Sequence, residues 1–249
     1  MTLQINVQLD YWFEAPCDVL LQVEAAAIAG QRIEQAHITV TPHDYFGRVA
    51  AQDHIGERIW LRTAGRMLVD YQATVTIDRS PADYALLPTV PFHRLPGEAV
   101  PYLFASRYCP SNQFVDLVQT EFGALEGGAK IAAMRDWIAR HLSYVPGSSN
   151  SDTTAIDTFQ GREGICRDYA HLMITFARAA DIPARIASVY AFGVTPPDFH
   201  AVVEVFLDGE WHLVDATDMA KANETVLIGV GSDIGDVAFL TAFGPLEMN

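Results

Sequence analysis

The chain has 249 residues, half of them hydrophobic and 19% charged, a composition that belongs to a folded protein with room for one large core or two modest ones. Its 31 acidic residues against 16 basic give a net charge of −15, which repels phosphate backbones and anionic lipid and argues against nucleic-acid partners. No run reaches about 18 consecutive apolar residues, so no membrane span is expected.

The N-terminus, MTLQINVQLDYWFEAP, lacks the basic-then-apolar order of a secretory signal, and the expected location is the cytoplasm. Cys17, Cys109 and Cys166 form an odd, widely spaced set without a CxxC pair. They are a poor disulfide framework and are expected to be thiols.

Residues 3–78 read as strands. LQINVQLDYWF, RIEQAHITVTP, RIWLRTA and LVDYQATVTID alternate apolar and polar positions, with turn-prone breaks at APCD, HDYFGR and QDHIGE. Short strands at such spacing predict an antiparallel sheet or sandwich. From Ser80 the texture changes: SPADYALLPTVPFHRLPGEAVPYL holds five prolines, which predicts an extended linker and a boundary near residue 85. The expected division is 1–85 for a β-rich domain and 86–249 for the remainder, an α+β chain.

Helical patterns follow. Ser111–Asn112 can cap a segment with Phe114, Val115, Leu117, Val118 and Phe122 on its apolar side. AKIAAMRDWIARHL carries Ile131, Met134, Trp137, Ile138 and Leu142 at helical spacing. A short helix is expected over 153–159, and ICRDYAHLMITFARAADIP predicts a central, mostly buried helix that stops before Pro183. ARIASVYAF, HAVVEVFL and EWHLVDAT read as strands. The tail after Ala220 is weakly patterned, with short strands expected around 225–230 and 236–240.

Three residues carry chemistry. Cys166 follows Gly164 at the first turn of the central helix, where unpaired N–H groups and the positive end of the helix favour a thiolate and can donate to an oxyanion formed beside it. His200 opens a strand and Asp215 closes the next, with the hairpin dipeptide Asp208–Gly209 between them. Taking that dipeptide as the loop pairs Leu207 with Glu210 and His200 with Thr217. Asp215 is then the diagonal neighbour of His200 on the same face, at roughly 7–8 Å between backbones. A one-residue slip would separate them. Nucleophile, base and orienter together make an acyl-transfer set, with water or an amine as acceptor.

TTAIDTFQGREGICRDYAHLMITFARAADIPARIASVYAF followed by DFHAVVEVFLDGEWHLVDAT resembles the core of the bacterial transglutaminase-like superfamily. Its Gly-x-Cys at a helix start, His opening a strand and Asp on the next are matched by Gly164–Ile165–Cys166, His200 and Asp215. The segment 102–110 and the β-rich region, including 44–47, resemble parts that precede this core in bacterial members. The resemblance implies a papain-like core whose cysteine helix packs on an antiparallel sheet. It leaves the reaction open, since such families include proteases, amidases, crosslinkers and members without known activity. Because water is always available as acceptor and no amine site can be read, the expectation is a cysteine peptidase or amidase acting on a peptide or protein through a thioester, with protein-glutamine γ-glutamyltransferase and a catalytically silent interaction module as alternatives. The resemblance also suggests two candidates for a further oxyanion donor: Gln160, six residues before the cysteine, and the aromatic Tyr144.

Other polar residues are assigned no chemistry. His171 lies about 140° around its helix from Cys166. Arg167 and Asp168 are read as solvated or capping, and His212 as facing away from Asp215. His43, His54 and His93 are scattered, so no metal site is expected, and no glycine-rich loop implies a nucleotide or flavin cofactor. Cys17 and Cys109 are read as structural thiols in loop or linker positions.

Overall fold

A computed structural model describes residues 1–80, 82–245 and 247–248; Pro81 of the proline-rich segment lies outside them. Two long strands build the first sheet: β1 (Thr2–Leu21) and β4 (Glu57–Ile77), paired antiparallel along almost their whole length. Their odd-numbered residues face inward, Leu3, Ile5, Tyr11 and Phe13 on β1 and Ile59, Leu61, Met67, Val69 and Tyr71 on β4, as a period of two requires. β2 (Gln31–Thr41) and β3 (Tyr45–Ala50) pair with β4, and the C-terminal strands β11 (Leu240–Ala242) and β12 (Glu247–Met248) pair with β1.

Three expectations for this region change. APCD is not a turn but a bulge inside β1, where the register shifts between Phe13 and Cys17 and Pro16 needs no ladder partner. RIWLRTA and LVDYQATVTID are one strand, and the supposed break HDYFGR contains β3. Cys17 therefore lies in a strand and is buried.

The proline-rich segment winds through three 3-10 turns, at Tyr84–Leu86, Phe92–Arg94 and Val100–Leu103. Ser111–Gln113 makes a further 3-10 turn rather than a cap, so α1 (Val115–Phe122) begins later than the sequence suggested. α2 (Gly127–His141), α3 (Ala155–Gly161) and α4 (Cys166–Ala179) follow. Every residue of α4 from Asp168 to Arg178 is buried. Phe176 on α4 packs among Phe114, Phe122, Trp137 and Phe159, with ring centroids 5.5–6.4 Å away.

α4 lies on the second sheet, an antiparallel array in the order β10 (Thr225–Gly231), β7 (Ala184–Ala191), β8 (His200–Leu207), β9 (Glu210–Val214). The other face of this sheet packs on Ile28 and Ile55. Covered on both sides, β8 is buried at every position, and HAVVEVFL accordingly reads as a nearly continuous apolar run. The result is the mixed α+β, papain-like arrangement expected: a cysteine helix on an antiparallel sheet behind a β-rich N-terminal part.

The tail differs from expectation. Asp233 accepts a hydrogen bond from the Gly235 N–H and starts a short helix, α5 (Ile234–Val237). The strand expected at 236–240 is displaced to β11, which returns to the first sheet.

Candidate active site

The start of α4 is fixed by groups around its first turn. Ile165 has no polar side chain to cap it, and Asp168 reaches back instead, its Oδ2 accepting from the Ile165 N–H at 2.8 Å and from the Ser149 hydroxyl at 2.6 Å. Asp168 is therefore a buried cap, not a solvated one. Gly164 is required there, since a Cβ on it would lie 2.7 Å from the Asp168 Cβ. Short parallel pairing of β5 (Ser143–Tyr144) with β6 (Glu163–Gly164) brings Tyr144 alongside, and the Val145 N–H donates to the Gly164 carbonyl at 2.9 Å. Cys166 is left half-buried at the head of the helix.

The hairpin between β8 and β9 has the register read from sequence. Leu207 pairs with Glu210, and the ladder runs to Val203–Val214. Asp208 and Gly209 both take positive φ, 50° and 87°, which suits a tight turn whose second residue is glycine. His200 opens β8, 2% exposed, and its Nε2 donates to Asp215 Oδ2 at 3.0 Å. The Thr217 hydroxyl lies 3.4 Å from the same Nε2, which leaves Nδ1 free of these contacts, in the cleft that Cys166 also lines.

Asp215 sits just past β9, held by more than the histidine. Thr217 N–H donates to Oδ1 at 2.9 Å, while the Met219 and Ala220 N–H groups donate to Oδ2 at 3.0 and 2.8 Å. The Thr217 hydroxyl lies 2.8 Å from Oδ1. Burial opposes the charge on Asp215, but His200 and Thr217 outweigh it and hold the carboxyl below its ordinary value. Burial likewise works against a proton on His200, and the hydrogen bonds to Asp215 and Cys166 override it, pushing the imidazole up to about 9.

Tyr144 and Gln160 are separated by the fold. Tyr144 lines the cleft beside Cys166, and burial raises its ionisation range, with the nearby Cys166 adding to the shift. Gln160 is exposed on α3 and is absent from the cleft lining. His171 is buried on the flank of α4 against Tyr108, its pKa lowered by burial to about 4, and it accepts from the Ile234 N–H. His212 bonds the Leu207 carbonyl. Cys109 is wholly buried, and burial lifts its thiol to about 12.

A cleft of about 970 Å³ opens beside Cys166 and His200. Much of its wall comes from residues the sequence gave no role, namely Val194 and Phe199 before β8 and Val237, Phe239 and Leu240 in the tail. Thr217, paired with His200 by the register read from sequence, is a supporting residue that spacing could have pointed out, and its hydroxyl lies 3.4 Å from the His200 Nε2. Among the described residues, no group of three or more His, Cys, Asp or Glu is arranged to hold a metal, and no helix is long and apolar enough to cross a membrane.

Residues 117–216 match the model of the transglutaminase-like superfamily core. A crystal structure of a candidate cysteine protease from Cytophaga hutchinsonii is 33% identical, superposes with a TM-score of 0.90, and is covered over 90% of its chain by 100% of this one. The uncharacterized protein ML0607 of Mycobacterium leprae is 30% identical over 118 residues, 44% of this chain. The match spans 42% of the length of that curated relative.

Proposed function

This chain belongs to the transglutaminase-like superfamily, and from that premise we propose that it is a cysteine-dependent enzyme, a peptidase or amidase with Cys166 as nucleophile, His200 as acid and base, and Asp215 as orienter. The observation that carries this reading is the imidazole of His200, bonded through Nε2 to Asp215 at 3.0 Å in the same cleft that Cys166 lines at the head of its helix. The likeness to a candidate cysteine protease supports hydrolysis over crosslinking.

In the first half-reaction the Cys166 sulfur, its proton held by His200, bonds to the substrate carbonyl carbon. The carbonyl π electrons move to oxygen. In this reading the Cys166 backbone N–H and the Tyr144 hydroxyl, both of which belong to residues lining the cleft, stabilise the oxyanion. Collapse breaks the carbon–nitrogen bond, and the amine leaves with the proton from His200. Water then gives a proton to His200 and attacks the thioester, releasing the acid and the sulfur. An amine in place of water would give transamidation. A reducing, cytoplasmic setting that keeps Cys166 a thiol is part of the same proposal, and cell fractionation tests it.

The test is incubation with denatured casein and a fluorescent primary amine. New amino termini without amine incorporation are expected, and Cys166→Ala and His200→Ala should each lower turnover by at least about a thousandfold. Covalent incorporation of the amine without cleavage would reassign the chemistry to crosslinking. Failure of both, with Cys166 alkylated no faster than Cys17 or Cys109, would leave a non-enzymatic module.

A further inference from the structure

The catalytic reading leaves open which acyl donor fits. Phe199 directly precedes His200, and its ring lies flat against Phe239, with centroids 4.6 Å apart and planes 1° from parallel. Tyr190 backs Phe199 at 5.4 Å. Phe239 is fixed from the other side: its carbonyl accepts from the Gln22 N–H at 2.9 Å, and Leu240 next to it pairs with Leu21 of β1. With Val194 and Val237 these rings make an apolar wall in the same cleft as the Cys166 thiol. The wall is thus held by a strand of the catalytic sheet on one side and by the first sheet on the other.

The charges in the lining are unequal. Arg167 is engaged, donating to the Ser149 hydroxyl at 3.2 Å and the Asn150 carbonyl at 2.7 Å, and it lies 3.5 Å from Asp168. Asp198 is exposed at the cleft, and among the described lining residues it is the only carboxylate. An acidic side chain would lose hydration against the aromatic wall and meet a like charge at the rim. A large apolar side chain would gain by leaving water there.

We propose that the Phe199–Phe239 wall is a side-chain subsite, and that the acyl donor is a peptide carrying a large apolar residue, such as Phe or Leu, at the scissile carbonyl. This rests on the acyl-transfer reading of Cys166. It assigns Phe199, Phe239 and Asp198 to specificity rather than to chemistry. It also gives the N-terminal sheet a part in substrate selection, since Gln22 and β1 hold Phe239 in place.

Peptidyl chloromethyl ketones that differ only in the residue next to the ketone test this. The sulfur displaces chloride and forms a thioether, so the inactivation rate constant over the inhibition constant is read by mass spectrometry without knowing the natural substrate. The Phe and Leu probes are expected to label Cys166 at least about tenfold faster than the Gly probe, with the Asp probe slowest. Phe239→Ala should slow the Phe probe more than the Gly probe and so shrink the preference. Equal labelling by all four probes on the wild-type protein overturns the subsite, with no need of a variant that folds. So does an unchanged preference in folded Phe239→Ala. No labelling of Cys166 by any probe, together with ordinary iodoacetamide reactivity, defeats the acyl-transfer reading itself, a separate outcome.

Discussion

Burial alone would strip the proton from His200, and Asp215 and Cys166 restore it, lifting the imidazole to about 9. Because this value is raised above the unfolded one of about 6.5, the proton's contribution to stability is fully present below about pH 6.5 and is lost as pH rises through about 9. Asp215 is held low, so its contribution is present above its unfolded value of about 3.9 and is lost as pH falls through the lowered one. The melting-temperature gap between wild type and His200→Gln should therefore be widest between about pH 4 and 6.5 and shrink toward pH 9. An NMR titration of His200 should give a lower value in Cys166→Ser, which loses one partner that raises it; an unchanged value would mean the thiol does not contact the ring. Thr217 is a positioning residue in the same network, since its hydroxyl and N–H both act on Asp215 and not on the reacting sulfur. Thr217→Val should lower kcat/KM by about tenfold and shift its pH profile, whereas Thr217→Ser, which keeps the hydroxyl, should stay near wild type. A profile that moves equally in both variants would count against this role.

At the scale of elements, what was legible depended on whether local residues decide the geometry. Asp208–Gly209 sets its own turn, the period of two does the rest, and the meeting of His200 with Asp215 followed from spacing alone. The bulge at 14–16 was not legible, because a proline beside small and polar residues suits a turn and a bulge equally, and only the length of β4 opposite chooses between them. Phe239 was equally hidden: it reaches the cleft from a tail whose course is set by pairing with β1, far off in sequence. The helix start is a middle case, since Asp168 is recognisable as a first-turn acid but its complete burial depends on the 146–151 loop folding over it. Removing that carboxylate orphans the Ile165 N–H. Asp168→Ala is expected to cost about 1–3 kcal/mol in urea unfolding and to slow alkylation of Cys166, whose position the cap fixes. A variant that loses stability while its thiol reacts at the wild-type rate would show that the cap holds the helix but not the nucleophile.

For the whole molecule the question is whether residues 1–85 and 86–249 behave as separate units, as the change in composition suggests. Several features cross that line. Arg185 on β7 is buried, donating to Glu204 at 2.7 Å and to Asp53 of the 52–54 turn at 2.9 Å, with its guanidinium 4.0 Å over Trp211. Gln31 donates to the Leu227 carbonyl and accepts from the Leu227 N–H, which fastens β2 to β10. Val226 of β10 belongs to the core of the first sheet, and β11 completes that sheet's edge. Such ties predict one cooperative transition, with amides of β4 and α4 sharing the same opening free energy in hydrogen exchange. Arg185→Ala leaves the buried Glu204 and the half-buried Asp53 without their cation, which costs about 3–5 kcal/mol where a buried ion pair loses one partner. The loss should fall on both sheets together in the variant, because Asp53 and Glu204 stand on opposite sides of the seam. Two resolved transitions in the wild type, or destabilisation confined to α4 in Arg185→Ala, would instead establish 1–85 as an independent unit.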